Sequence, residues 1–280
     1  MRPEDSAAWR FLIKLTERVI AIKGAGEMAS AVAWRLYMAN IRNIVMMETE
    51  TPLAVRREVA FCEAVYTGSK TVEGVEALRA SGAEHFHSIW GQGKIVVTVD
   101  GEWNTLRNMR PDVLVDAILA KKNLGTCTDD APLVIGLGPG FVAGEDVHLV
   151  IETQRGHNLG RIITAGAAEP NTGVPGAVDG VAAERVLRSS ADGEFRSSFR
   201  IGDYVEKGDA VGRIGDTPVV GRIGGVLRGL IRPGTRVTTG LKIGDIDPRS
   251  DVTNCFTISD KARTIAGSVL EAVLRTYNRS

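Results

Sequence analysis

The chain has 280 residues, and its 34 Lys and Arg side chains balance 34 Asp and Glu side chains. A chain of this length is expected to form about two domains. The balanced charge gives no overall field that would attract nucleic acid or an anionic membrane, so neither is an expected partner. Cys62, Cys127 and Cys255 lie far apart, so the sequence predicts neither a disulfide framework nor a zinc site and favours a reducing, cytoplasmic location.

Short apolar runs predict the strands of a first domain, over 18–186, that follows an N-terminal extension over 1–17. The extension has acids before its apolar residues, which argues against a signal peptide and a membrane span. The apolar runs after the extension are continuous rather than alternating with polar residues, as in the buried strands of parallel sheets. These runs are 18–24, 43–49, 94–100, 113–119, 132–138 and 147–153. We predict a Rossmann-like parallel sheet.

The segment between the first two strands predicts a helix that opens on a glycine-rich turn. Its apolar residues Met28, Val32, Leu36 and Ala39 fall on one helical face, which makes the segment the helix of a βαβ unit. The turn reads GAGEMA over 24–29, close to a dinucleotide-binding fingerprint.

Each position of that turn has a predicted role. Gly24 would permit the tight turn, Gly26 would let the backbone approach a pyrophosphate, and Ala29 would let helix and strand pack closely. The helix N-terminus would then present free N–H groups to the anion. Glu48, about 20 residues on, stands where a ribose-binding acid belongs. The predicted cofactor site therefore includes Gly24, Gly26, Glu27, Met28, Ala29 and Glu48.

Two features of the same region leave the ligand open. Arg56 and Arg57 could accept a 2′-phosphate, which favours NADP, whereas Glu48 favours NAD. Glu27 places a carboxylate in the loop that would face the pyrophosphate, and without a ligand it would only stabilise the helix N-terminus.

A second glycine-rich stretch, over 129–162, predicts another ligand-facing surface. Gly138 and Gly140 form a turn that a ligand could approach closely, and Arg155 and His157 follow the next strand. If the strands are parallel, both loops lie at carboxyl ends, where open α/β sheets bind ligands. The alternative is a pair of turns with solvated arginines.

The candidates for acid–base chemistry are Asp116 and Glu152, at strand ends, and His157. His85 and His87 have no third ligand nearby, so no metal site is predicted. These residues do not define a reaction type, and whether the protein is an enzyme stays open.

A second domain, over 187–248, is predicted from an internal duplication. Residues 192–214 and 224–246 align at an offset of 32, and each half carries glycines that bracket a strand. The pattern resembles the barrel-sandwich hybrid of biotinyl and lipoyl domains. The connection at 215–225 carries no lysine, so neither biotin nor lipoate is expected. A C-terminal segment, 249–280, is predicted to form a helix that packs on the first domain, with Ser259 as its cap.

Phrases spread along the chain resemble a known family. They include GAGEMASAVAWRL, APLVIGLGPGFVAGEDVHLVIETQRGHNLGRI, AEPNTGVPG and TISDKARTIAGSVLEAVL. They resemble the YqeB-type family of selenium-dependent molybdenum hydroxylase accessory proteins. The resemblance implies a maturation role, in molybdenum cofactor handling or selenium insertion, with a molybdenum hydroxylase and its maturation factors as partners and a nucleotide, NAD(P) or a molybdopterin nucleotide, as cofactor.

Two other functions stay open at this point. One is an ordinary NAD(P)-dependent oxidoreductase, and the other is a non-catalytic docking module for a molybdoenzyme, in which the first domain is only a scaffold.

Overall fold

A computed structural model describes residues 13–278 of the chain. Most of the predicted N-terminal extension, residues 1–12, therefore lies outside the described residues. In the described part, a nine-stranded sheet forms the centre of the molecule, with the strand order β10-β9-β7-β6-β1-β2-β5-β4-β3. Its strands are β1 (Val19–Lys23), β2 (Asn43–Glu48), β3 (Ser69–Val72), β4 (Val75–Ala80), β5 (Ile95–Val99), β6 (Val113–Asp116), β7 (Leu133–Leu137), β9 (Leu149–Ile151) and β10 (Ile162–Ile163).

This sheet is mixed rather than parallel. Neighbouring strands from β9 across to β4 run parallel, whereas β10 and β3, at the two edges, run antiparallel to their neighbours. A separate two-stranded antiparallel ribbon joins β8 (Val142–Ala143) to β11 (Gly166–Ala167). Parallel strands need a covered sheet on both faces, which explains their continuous apolar runs.

Two long helices cover one face of the sheet. Helix α1 (Glu27–Met38) buries Val32 and Leu36, and α6 (Asp260–Tyr277) buries Ile265, Val269 and Val273, all in one apolar core with β1. The opposite face packs on shorter helices. The other helices are α2 (Ala64–Thr67), α3 (Phe86–Gly91), α4 (Asn104–Met109) and α5 (Thr253–Phe256).

The duplicated region forms two antiparallel four-stranded sheets, with the orders β12-β19-β17-β14 and β16-β15-β13-β18. Their inner faces enclose a separate apolar core. Each sheet contains strands of both repeats, because β14 of the first half pairs with β17, and β18 of the second half pairs with β13. The strands are β12 (Val186–Arg188), β13 (Gly193–Arg196), β14 (Tyr204–Val205), β15 (Ala210–Ile214), β16 (Thr217–Val220), β17 (Gly225–Leu230), β18 (Arg236–Val237) and β19 (Lys242–Asp247).

Backbone angles support the duplication. Gly202 and its counterpart Gly234 have φ of 101° and 90°, while Gly193 and its counterpart Gly225 have φ of 150° and 148°. These are conformations that L side chains avoid, so the same glycine-dependent turns occur in both halves.

The predicted fold class, a Rossmann-like parallel sheet followed by a biotinyl- or lipoyl-like barrel-sandwich hybrid, is wrong. The central sheet is mixed, since the edge strands β3 and β10 return antiparallel, and the remaining strands form several antiparallel sheets. Apolar runs report burial, and they carry no information about the direction of an edge strand.

The segment before α2 ties the antiparallel sheets to the central sheet. The Leu230 N–H donates to the Val55 carbonyl at 2.8 Å, and the Arg57 Nε donates to the Leu230 carbonyl at 2.7 Å. Arg232 forms an ion pair with the buried Glu63 at 2.5 Å. A Cβ on Gly229 would stand 2.8 Å from the Val55 side chain, so β17 lies close against this segment.

Candidate functional site

A cleft lies where the carboxyl ends of β1, β2 and β6 face β12, β17 and β19 of the antiparallel sheets. It contains two cavities, of about 490 Å³ and about 820 Å³, which share Glu27, Met28, Lys242 and Lys261 in their walls. We call the smaller the basic cavity and the larger the mixed cavity. Both volumes lie in the range of small-molecule sites, about 300–1,000 Å³.

The turn between β1 and α1 forms part of the mixed cavity. Gly24 has φ of 89° and lies against Ala117, and its N–H donates to the Met47 carbonyl at 2.8 Å. Gly26 begins the helix as its N-cap, and a Cβ on it would meet nothing within 4 Å. Gly26 therefore faces open space in the cleft.

The two acids of this region bind the protein's own groups. Glu48 accepts hydrogen bonds from the N–H groups of Ala25, at 2.9 Å, and Thr49, at 2.8 Å. Glu27 accepts from Ser259 Oγ at 2.8 Å and from Arg56 at 3.2 Å. Glu27 therefore connects the N-termini of α1 and α6, and Glu48 fixes the turn through its hydrogen bond to the Ala25 N–H.

The basic cavity is lined by many more cations than anions. Of its charged side chains, seven are Lys or Arg and two are Glu. The cations are Lys121, Arg155, Arg185, Arg188, Arg228, Lys242 and Lys261, and the anions are Glu27 and Glu169.

One carboxylate holds three of these cations together. Asp245, on β19, is fully buried and forms ion pairs with Arg185, with Arg228 at 2.7 Å and with Lys242 at 3.7 Å. Burial alone would raise the pKa of Asp245, but Lys242, Arg228 and Arg185 together hold that pKa below its usual value. Arg228 also forms an ion pair with Asp247, at 3.4 Å. The single negative charge of Asp245 offsets only part of the positive charge around it.

The two lysines that line both cavities differ in how far they are neutralised, since Lys242 is paired with Asp245. The Lys261 side chain makes no hydrogen bond or ion pair with the residues that the structure describes, and it lies in the first turn of α6, where the helix dipole is positive. Burial, followed by the nearby Arg155, lowers the pKa of Lys261. Burial also lowers the pKa of Lys242, against the attraction of Asp245. Both shifts show that a proton on these amines is held less well than in water.

Arg56 adds a buried donor beside the mixed cavity. It is 5% exposed and donates to the carbonyls of Asn254 and Thr257, each at 2.9 Å. Its Nε has no hydrogen-bond partner among the residues described. A buried donor left without an acceptor is costly.

The loop after β6 forms a wall of the mixed cavity and is fixed by buried polar groups. Lys23 donates to Thr126 Oγ1 at 2.7 Å, and Thr126 donates to Asp116 at 2.6 Å. Burial raises the pKa of Asp116, although the Thr126 hydroxyl opposes the rise. These two hydrogen bonds hold Thr126, at the far end of the loop, against β1 and β6 of the central sheet.

Three residues that line the cleft have a left-handed backbone although they are not glycine. Trp103, Leu119 and Lys121 have φ of 58°, 60° and 63°. Such conformations cost about 1–3 kcal/mol each and persist only where the surrounding structure enforces them. Trp103 and Leu119 line the mixed cavity, and Lys121 lines the basic cavity.

The predicted cofactor residues are partly brought together. The cleft is lined by Gly24, Gly26, Glu27, Met28, Glu48 and Arg155. Ala29 instead lies fully buried in the core.

The second glycine turn packs on the protein itself. A Cβ on Gly138 would stand 2.4 Å from Thr153 Oγ1, and one on Gly140 would stand 2.6 Å from the Lys122 backbone nitrogen. These glycines allow close packing of the loop, and neither lines a cavity, although Pro139 between them does.

The three candidate acid–base residues do not meet at one point. Asp116 is buried in the chain with Thr126. Glu152 is buried and accepts from the N–H groups of Gln154 and Glu169, each at 2.7 Å, so it fixes a turn. His157 is exposed and lines neither cavity. In the described part of the chain, no group of three or more His, Cys, Asp or Glu is placed to hold a metal ion.

The cations of the antiparallel sheets were not among the residues predicted from the sequence. Lys242 and Asp245 occupy repeat positions at which the first half has Ala210 and Arg213. A strand that carries buried charge in one repeat only, KIGDID over 242–247, was the signal that could have revealed them.

The chain is similar to one curated relative, the "Uncharacterized protein YqeB" of Escherichia coli (strain K12). The two are 47% identical over 257 residues, which is 92% of this chain and 47% of the relative. The resemblance to YqeB is confirmed. The chain spans about half the length of the curated relative that it matches. No protein-family model matches the chain.

Solved structures with partial similarity come from other proteins. A succinylglutamate desuccinylase/aspartoacylase from Rhodobacter sphaeroides is 24% identical with a TM-score of 0.21, over 23% of this chain and 22% of that one. An aspartoacylase family protein from Mesorhizobium loti is 13% identical with a TM-score of 0.27, over 81% and 84%. The ectoine utilization protein EutE (DoeB) from Ruegeria pomeroyi, in its apo form, is 12% identical with a TM-score of 0.24, over 82% and 86%.

These comparisons contradict the predicted function. The YqeB relative has no assigned activity, and the three structures named above are not named for a molybdenum hydroxylase, its maturation or a nucleotide. The predicted maturation role, and with it the NAD(P)-dependent oxidoreductase, the docking module and Rossmann-type nucleotide binding, is therefore wrong. TM-scores this low carry no argument for a hydrolase activity either.

Three predictions are not tested and stay predictions. They are that the cofactor is a nucleotide, that the protein carries neither biotin nor lipoate, and that a molybdenum hydroxylase is its partner. Within residues 13–278, no helix is long and apolar enough to cross a membrane.

Proposed function

We propose that the protein binds a small polyanion, with phosphate or carboxylate groups, in the cleft between the central sheet and the antiparallel sheets. The observation that carries this proposal is the charge of the basic cavity, in which seven cationic side chains face two acids. A concave surface of one charge sign, with low-dielectric walls, concentrates ligands of the opposite sign.

The placement of the lysines works against the stability of the protein without a ligand. Lys261 lies in the first turn of α6, beside Arg155 and near Lys242, and all three are cations. A positive charge at a helix N-terminus and close like charges are each unfavourable. A bound anion would reverse both effects, and perturbed ionisable groups of this kind concentrate at functional sites.

Acids cancel only part of this field. Arg155 is paired with Asp260, at 2.7 and 2.8 Å, whereas Lys121 and Lys261 have no ion partner among the described residues. Glu27 is engaged by Arg56 and Ser259, and Glu48 by two backbone N–H groups.

The test is calorimetric titration of the full chain with inorganic pyrophosphate at low ionic strength. We expect Lys242→Gln and Lys261→Gln each to weaken binding about tenfold, because each removes a positive charge from the walls of both cavities. Lys207→Gln is the matched control, since Lys207 is exposed in the first repeat and lines neither cavity.

A second readout is thermal stability, since a ligand at about 100 times its dissociation constant adds about 2.7 kcal/mol to the free energy of unfolding. If pyrophosphate does not bind, or if Lys207→Gln weakens it as much as the cleft variants do, the proposal is wrong.

A further inference from the structure

Part of the wall of the mixed cavity is apolar, and the binding of a polyanion does not explain it. Leu53, Leu119 and Leu124 are 57%, 36% and 45% exposed, and all three line it. Exposed apolar residues that are scattered singly need no explanation, but several around one cavity mark a binding surface. With Trp103 and Ile118 they form what we call the apolar chamber.

The backbone of this chamber is held in place rather than left loose. Trp103 and Leu119 keep left-handed conformations, and the buried Lys23 amine lies 5.3 Å from the centre of the Trp103 ring. Lys23 in turn donates to Thr126, which fixes the loop that carries Leu119 and Leu124. Holding apolar side chains in a fixed conformation against open space costs free energy in water. The same fixed conformation favours binding of an apolar group, because little ordering is left to occur when the group binds.

The charged and apolar parts of the cleft meet at one point. Lys242 and Lys261 belong to the walls of both cavities, so they stand between the basic cavity and the apolar chamber. A molecule whose acidic group lies at these two lysines can place its other end in the chamber without leaving the cleft.

We propose that the ligand is an amphipathic anion, whose acidic group binds at Lys242 and Lys261 and whose apolar body fills the apolar chamber. This inference rests on the proposed function and names the class of molecule that the same site takes. A purely polar polyanion would leave the leucines and Trp103 in contact with water.

The probe is 1-anilinonaphthalene-8-sulfonate, an anion with an apolar aromatic body, titrated into the full chain and followed by its fluorescence. Its uncharged analogue N-phenyl-1-naphthylamine has the same rings and no sulfonate. We expect the sulfonate to bind at least about tenfold more tightly than the uncharged analogue, because only the sulfonate engages the two lysines.

The variant that tests the chamber is Leu53→Ser with Leu124→Ser, both at exposed positions. We expect it to weaken the sulfonate probe about tenfold and to leave pyrophosphate binding unchanged. The matched control is Val220→Ser with Leu274→Ser, which are 43% and 37% exposed and line neither cavity. Circular dichroism of each variant verifies that it is folded.

The outcomes separate the two proposals. If pyrophosphate binds but the chamber variant holds the probe as tightly as the wild type, or no more weakly than the control variant does, the inference is wrong and the proposed function stands. If pyrophosphate does not bind and Lys242→Gln with Lys261→Gln leaves the probe unaffected, both are wrong. Equal binding of the probe and its uncharged analogue also overturns the inference.

Discussion

Replacing Asp245 by Asn should destabilise the protein strongly, because this one buried carboxylate forms ion pairs with three cations. Asp245 is fully buried and forms ion pairs with Arg185, Arg228 and Lys242. Removing one partner from a buried ion pair costs about 3–5 kcal/mol, since the remaining charge stays desolvated. Asn keeps the size of the side chain, so the loss measures charge rather than packing.

The assay is urea unfolding at neutral pH, followed by circular dichroism, together with a thermal scan. A loss of this size lowers the melting temperature by about 6–20 °C. Asp216→Asn is the matched control because Asp216 is exposed and has no ion partner among the described residues, and its effect should stay within about 0.5 kcal/mol.

The pH dependence gives an independent check with a defined sign. The folded pKa of Asp245 is lowered, so its contribution is fully present above the ordinary aspartate pKa of about 3.9 and is lost as the pH falls through the folded value. The difference between wild type and Asp245→Asn should therefore be constant from neutral pH down to about pH 5 and shrink in stronger acid. A loss under about 1 kcal/mol, or a difference that does not shrink, would refute the reasoning.

Three further results are expected. Gly26→Leu should weaken the sulfonate probe about tenfold with little change in melting temperature, because Gly26 has an ordinary φ of −71° and faces the mixed cavity; unchanged affinity would contradict this. Gly140→Ala should lower the free energy of unfolding in urea by about 2 kcal/mol or more, since the new Cβ would meet the backbone of Lys122. The control is Gly144→Ala, at a φ of 88° but in open space, which should lower it by about 1 kcal/mol. Equal losses would argue against the clash at Gly140. Sulfate affinity should fall as the pH rises at values below the ordinary lysine pKa of about 10.4, because the two cleft lysines have lowered pKa values and sulfate keeps its charge; a decline only above that pKa would contradict the assignment.

Local patterns in the sequence predicted individual elements well. The apolar runs at 18–24 and 43–49 form β1 and β2, and Ser259 caps α6, where its Oγ accepts the Ala262 N–H at 3.3 Å. These features depend on neighbours in the chain, such as burial of a strand or satisfaction of a free N–H at a helix start.

The fold class and the site could not be obtained in this way. Whether β3 and β10 run parallel or antiparallel depends on which neighbour they meet at the sheet edge, and the apolar pattern of a short strand is the same in both cases. The cations of the cleft come from segments as much as 200 residues apart, such as Arg56 and Lys261. Only the folded chain places them together.

The glycine turn at 24–26 has a contact that the sequence did not predict. The Ala25 N–H donates to Glu48, so the protein's own acid closes the turn. The open space around Gly26 belongs to a cleft whose positive charge comes from other segments.

The hydrogen bonds of Leu230 with Val55 and Arg57, in the segment before α2, bear on how fast a ligand enters and leaves. Because β17 is hydrogen-bonded directly to that segment, the two halves of the cleft are joined on one side, and we expect them not to open as a hinge. Binding then needs no domain closure, so association is limited by diffusion and electrostatic steering and its rate should fall steeply with added salt. The dissociation rate, in contrast, reports the contacts inside the cleft. Small-angle scattering with and without ligand should give the same radius of gyration.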